Sequence, residues 1–371
     1  VLRETLATRQ RLADSDPRLL ENREGLAINH RNLAELLEGL GQRAEALNHM
    51  RQAMNCSAGL VADFPGVPRH RRRLATAHDN LGLLLSLERR YGESEAEYRK
   101  ALVILERLAE DQPEDPGNAA ALASGHGNLG IVLAEQGRAS EAEGEYHKAL
   151  EIKERLVKEH PGTPSYAVSL GGTLCNIANL LRDAARPLDA LPWYDRAVRT
   201  VGDVVRTEPR LAVARKFLRN GHMGRARALG ALGRRDEAGA DWDRALELAE
   251  GSGRSLVQAA RAADLALVDP GKALAEAQPL LAINDPDPDM LLLLARVYGL
   301  ASGRAEGDER DQLAGTSVRL LEQARVSGLF QSPRELATLR DSSDLDPLRG
   351  REDFRTLLGL AEGGQRPQPD P

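Results

Sequence analysis

HGNLGIVLAEQGRASEAEGEYHKALEI, residues 126–152, reads as two helices folded back on each other. In its first half His126, Leu129, Gly130 and Leu133 fall at i, i+3, i+4 and i+7, one face of a helix. Gly137 then breaks the pattern, where a helix needs a residue that tolerates positive φ after its last turn. In the second half Ala142, Tyr146, Ala149 and Leu150 again mark one face. Gly130, Ala142 and Ala149 are small enough for the two helices to approach closely, and Tyr146 is the large plug between them.

The rest of the chain is built from copies of this stretch, in register at 48 residues. Asn128 has counterparts at Asn32, Asn80 and Asn176, and Leu133 at Leu37, Leu85, Leu181 and Leu229. Tyr146 corresponds to Met50, Tyr98, Tyr194 and Trp242, and Ala149 to Ala53, Ala101, Ala197 and Ala245. The spacers keep the same period, with Pro17, Pro65, Pro113, Pro161 and Pro209 in one column and Leu26, Leu74, Leu122, Leu170 and Leu218 in another. So many columns in step are the signature of stacked helical hairpins.

The core His126, Leu129-Gly130, Leu133, Ala142, Tyr146 and Ala149 resembles the tetratricopeptide repeat. The resemblance covers residues 1–250 well and 255–326 loosely. The usual period is about 34 residues, so these units are longer, and Glu154 stands where the family has its closing Pro. The second helix therefore runs on to Pro161. Such long repeats are similar to those of kinesin light chains and of bacterial tetratricopeptide proteins. The expected fold is all-α, a right-handed solenoid of antiparallel helical hairpins.

The register predicts the organisation. Residues 1–17 read as the second half of a truncated repeat, which leads to the expectation that the natural polypeptide extends further at its N-terminus. Four units follow at 18–65, 66–113, 114–161 and 162–209, then a weaker fifth at 210–250, where Gly224 replaces the Asn. Residues 255–326 read as two irregular hairpins, 255–281 and 287–326. Residues 327–362 form a helical tail opened by the capping box Ser332-Pro333-Arg334-Glu335. Residues 363–371 are expected to be disordered. The segment ATLRDSSDLDPLRGREDFRTLL (337–358) resembles the C-terminal tail of large serine/threonine protein kinases of planctomycete-type bacteria. That resemblance implies a regulatory region whose catalytic domain is not in this chain.

Composition narrows the function. A net charge of −6 with both signs interspersed argues against nucleic acid as a partner. Cys56 and Cys175 lie too far apart in the repeat for a disulfide and have no metal-ligand spacing. The longest apolar run, 290–301, is about half a membrane span and carries an Arg, so no direct membrane insertion is expected. A cytoplasmic location is the default expectation, with a location outside the membrane if a span lies upstream. No catalytic motif and no cofactor or metal motif emerges. His30, His78, His126 and His222 share one column, but equivalent residues of stacked hairpins lie about 10 Å apart, too far to converge on one ion. They read as packing residues. The run Arg69-His70-Arg71-Arg72-Arg73 reads as a solvated face.

The candidate site is the Asn column, Asn32, Asn80, Asn128 and Asn176. Asn is a poor helix-interior residue, and its amide both donates and accepts. Two readings stand: each amide holds the backbone of a bound peptide, as the likeness to kinesin light chains implies, or each bonds the neighbouring repeat. Arg31, Glu35, Asp79, Asn179 and Arg182 are expected on the same face. The expected function is a scaffold binding a peptide or protein partner in a groove, with self-assembly through solenoid ends as a further possibility.

Overall fold

A computed structural model of the chain describes residues 2–15 and 20–363. The expected Pro17 stop and the expected disorder at 364–371 lie outside the described residues, whereas Gly363 is the last residue of a helix. The described residues form seventeen α-helices and two short 3-10 helices, with no strand among them. No helix among them is long and apolar enough to cross a membrane. The chain divides into two compact units, the first reaching to Tyr166 and the second starting at Ala167.

In the first unit α1 (Leu2–Ser15) packs on the hairpin α2 (Leu20–Gly39) and α3 (Arg43–Asp63). The hairpins α4 (Pro68–Leu87) with α5 (Tyr91–Asp111), and α6 (Pro116–Glu135) with α7 (Ala139–Glu159), stack on it in turn. Equivalent helices start 48 residues apart, as the sequence register requires. Pro68 and Pro116 occupy the first helical position, where a missing N–H and a fixed φ cost nothing. The Asp115 carboxylate accepts from the Gly117 N–H at 2.8 Å and caps α6.

In the second unit α8 (Pro164–Asp183) and α9 (Pro187–Thr207) form a hairpin of the same kind, followed by α10 (Ala212–Ala231) and α11 (Arg235–Leu248). The register ends there. Then come α12 (Ser252–Ala266), α13 (Pro270–Ala277), a 3-10 turn at 278–282, α14 (Pro288–Ser302) and α15 (Gly307–Val326). The tail α16 (Pro333–Asp341), a 3-10 turn at 343–348 and α17 (Glu352–Gly363) fold back onto α14 and α15. The Ser332–Glu335 capping box closes in both directions. The Asp344 carboxylate accepts from Arg296 of α14 at 2.6 Å.

The packing follows the columns. Tyr146 is 3% exposed, and a methyl group added at Gly130 would lie 2.5 Å from its ring. Tyr98 faces Gly82 in the same way. Between the two helices of each hairpin the chain turns through one left-handed residue, at Gly41, Arg89, Gly137, Ala185 and Gly233, with φ between 57° and 77°. The next N–H reaches back across the turn, as from Arg138 to the Leu133 carbonyl at 2.9 Å. Glycine suits this conformation; Arg89 and Ala185 hold it at a cost of about 1–2 kcal/mol.

Two predictions follow from these columns. Gly130→Ala, driving a methyl into Tyr146, should cost about 1–3 kcal/mol, whereas Gly144→Ala, with open space around it, should gain about 0.5–1 kcal/mol. Equal shifts in urea unfolding would show that the tyrosine column does not set the helix spacing. Arg89→Gly and Ala185→Gly should each stabilise by about 0.5–1 kcal/mol, the released strain less the added chain entropy. Gly137→Ala should do the opposite.

Candidate functional site

The first helix of each hairpin carries the candidate residues on a face that its own second helix leaves partly open. In the first unit Arg31, Asn32 and Glu35 lie on α2, Asp79 and Asn80 on α4, and Asn128 on α6; contacts join Arg31 with Asn32 and Glu35, and Asp79 with Asn128. Asn176, Asn179 and Arg182 lie on α8 of the second unit.

The four Asn side chains are all partly exposed, but they are not equivalent. Asn128 Nδ2 donates to Asp79 Oδ1 at 3.1 Å, tying α6 to the preceding hairpin. Asn32 accepts from Arg31 at 3.2 Å, and Arg31 also pairs with Glu35 at 3.3 Å. Asn80 and Asn176 make no side-chain hydrogen bond among the described residues. Asp79 is held above the usual carboxylate range by burial, against the opposing hydrogen bond from Asn128. On α8, Asn179 Oδ1 accepts from Tyr194 Oη at 2.6 Å and from Arg182 at 3.1 Å, and Arg182 also donates to Tyr194 and Asp183. These two side chains brace the tyrosine of their own hairpin.

Gly224 departs from the Asn column for a visible reason. The Tyr194 hydroxyl lies 2.8 Å from where its Cβ would stand, so a side chain there would collide with the ring.

Two contributors to the face were missed in the sequence. Leu83 and Ile131 occupy the column of Glu35 and Asn179 and are 48% and 40% exposed. They stand one helical turn beyond Asn80 and Asn128. The 48-residue register, read at this column, contains the signal.

The His column packs hairpins, and its partners were also missed. His78 Nδ1 lies 2.6 Å from Glu97, His126 Nδ1 2.6 Å from Glu145, and His222 Nδ1 2.6 Å from Asp241, each nineteen residues on in the facing helix. In the first hairpin His49 replaces the acid and lies 3.0 Å from His30. Burial there, with a second imidazole beside it, lowers the His30 pKa to about 4. Among the described residues no group of three or more His, Cys, Asp or Glu could hold a metal ion.

The basic run 69–73 is not the solvated face expected. Arg69, His70 and Arg73 converge on Glu24 of α2 at 3.1, 2.8 and 2.9 Å. Arg71 pairs with Asp111 at 2.7 Å, and Arg72 pairs with Asp115. Stacking places acids some 40–49 residues away in sequence beside each base, which a local charge run does not disclose.

With this geometry in hand, known proteins give the comparison. A family model described as a tetratricopeptide repeat matches residues 127–162, the second half of α6 and all of α7. That segment is a tetratricopeptide repeat. No protein of curated function matches the sequence. Among solved structures the repeat protein is similar to aspartyl phosphate phosphatase F from Bacillus subtilis, at 16% identity over 85% of this chain and 74% of that one, TM-score 0.58. It is similar to the Rap conjugation gene regulator of the plasmid pLS20, solved in complex with the Phr peptide, at 13% identity over 83% and 77%, TM-score 0.55. BtubC (BKLC) from P. vanneervenii matches at 21% identity over 67% and 87%, TM-score 0.51. At these identities the likeness is one of fold.

The His–carboxylate struts generate an acid limit on stability. Burial alone would raise the Glu145 pKa, but hydrogen bonds from His126 and Lys148 outweigh it and hold the group down at about 2. A carboxylate depressed in the folded state stabilises fully above its ordinary value near 4.5 and loses that contribution as pH falls through about 2. Glu145→Gln should therefore lower stability at pH 7 by on the order of 2–3 kcal/mol and flatten the loss between pH 4.5 and 2. Parallel acid-unfolding curves for the two proteins, read by circular dichroism, would remove the strut from the account.

Proposed function

We propose that the protein is an interaction scaffold whose first unit binds an extended peptide segment across α2, α4 and α6. The observation that carries this reading is the pairing, on α4 and on α6, of a partly exposed Asn amide with an exposed apolar side chain. Asn80 is followed by Leu83 and Asn128 by Ile131, one turn along the same helix in each case. An amide can donate to a peptide carbonyl and accept from the neighbouring N–H, while the leucine and isoleucine receive apolar side chains. Packed helices lie about 8–10 Å apart, and an extended chain advances about 3.3–3.6 Å per residue. A peptide crossing adjacent hairpins would therefore meet one Asn about every three residues. The Asn80 amide has no hydrogen-bond partner among the described residues, so it gives up none of these when it engages a ligand. A fold-level neighbour solved with a bound peptide is consistent with this use.

No catalytic constellation organises this face. Its acid Asp79 is engaged by Asn128, and Glu35 by Arg31. The reading is recognition by a surface held rigid before the ligand arrives.

A peptide library displayed against the protein should enrich sequences with two apolar residues about three positions apart. Asn80→Ala, with helicity unchanged by circular dichroism, should weaken the enriched peptides about 5–30-fold, the worth of one or two hydrogen bonds. Leu83→Asp should abolish the apolar preference. Enrichment of the same set by both variants would place the binding surface elsewhere.

A further inference from the structure

The second unit contains a site of a different kind, where the 48-residue register ends. Helix α11 has fourteen residues against the twenty-one of α9, and α12 follows it almost at once. A cleft of about 710 Å³ lies there, lined from α8, α10, α11, α12, α13 and α14. This is the size range of small-molecule sites, about 300–1,000 Å³.

All six helices contribute charged groups: Arg182 and Asp183, Arg227, Arg235 and Asp243, Arg261 and Asp264, Glu276, and Arg296, five cations against four acids. Three of the five arginines are engaged: Arg261 pairs with Glu276 at 3.0 Å and with Asp243 at 3.4 Å. Arg182 is bonded to Asn179, Tyr194 and Asp183, and Arg296 lies 2.5 Å from Asp344. Arg227 makes no hydrogen bond and no ion pair among the described residues. Burial pushes its pKa down, Asp264 works against that, and Arg182 and Arg296 add to it. A guanidinium does not deprotonate in proteins, so a partly buried cation stands in a cleft with two further cations beside it. Asp264 faces these cations: burial raises its pKa, Arg227, Arg296, Arg182 and a hydrogen bond from Trp242 work against that, and its Oδ2 is buried with no hydrogen bond. Trp242, Leu265 and Val268 form the apolar part of the wall.

An unpaired cation held by converging helices, beside an indole and aliphatic side chains, is complementary to an amphipathic anion. We propose that this cleft binds a small organic acid, its carboxylate or phosphate head on Arg227 between Arg182 and Arg296, its apolar body against Trp242, Leu265 and Val268. The site is independent of the peptide face of the first unit. Arg227 belongs to the same column as Glu35, Leu83, Ile131 and Asn179, so the position that offers apolar contact in the first unit offers charge here.

The chain has two tryptophans, so Trp193→Phe leaves Trp242 as the sole fluorescence reporter. Octanoate and octyl phosphate are titrated into this variant, and into the unmodified protein by thermal melting, with octanol and octylamine as controls. At least one anion should shift the Trp242 emission and raise the melting temperature, and both controls should bind tenfold or more weakly. The better anion identifies the head group. Arg227→Gln should lose at least tenfold in anion affinity, the scale of one charge-assisted contact, with its helicity by circular dichroism unchanged. Arg235→Gln, at the exposed rim, should keep its affinity. Binding of octanol as tight as that of the anions, unchanged anion affinity in Arg227→Gln, or no binding of either anion would overturn the proposal.

Discussion

The distance between the two helices of a hairpin is set where a tyrosine ring meets a glycine, and the rest of the structure depends on that approach. Tyr146 against Gly130 and Tyr98 against Gly82 leave no room for a methyl group without movement. With the axes drawn together there, Ala142 and Ala149 become fully buried small residues of the seam, and Leu133 and Leu129 close the layer beside them. The same proximity brings His126 within hydrogen-bond reach of Glu145. A hairpin with looser axes would leave that imidazole and carboxylate buried and apart, at the cost of unpaired polar groups.

The hairpin architecture was legible because it is repeated. One stretch of 27 residues specifies helix, turn and helix, and the 48-residue spacing carries that reading to Pro68, Pro116 and Pro164 at helix starts. The left-handed turn was legible at Gly137 but not at Arg89 or Ala185, where tertiary packing holds a side chain in a conformation its local preference opposes. The site was legible in part. Periodicity placed Asn32, Asn80 and Asn128 on one face, but not which amides remain unbonded, because that depends on whether Asp79 stands opposite. Arg182 and Asn179 were placed on that face, yet the chain uses them to hold Tyr194. The basic run was misread because its partners, Glu24 and Asp111, sit in other helices.

The two units put the same helix positions to different uses. The first keeps its inner positions neutral or internally paired, with Leu83 and Ile131 in the open. The second concentrates arginine at the corresponding positions and beyond, and relieves part of that charge with acids from its own tail, as Asp344 does for Arg296. Positions outside the seam are free to vary in this way, since the close approach at the tyrosine already fixes the backbone.

The His–carboxylate strut has a consequence for how such a chain can grow. Donor and acceptor are nineteen residues apart and both lie within one 48-residue unit. A duplicated unit therefore arrives with its buried charge already matched, and a deleted one takes both partners away. Copying or losing a whole hairpin leaves no orphan in the core, whereas a break inside a hairpin separates the pair. Gene duplication in register is thus the tolerated route to a longer or shorter array, and the preserved 48-residue spacing is the trace it leaves.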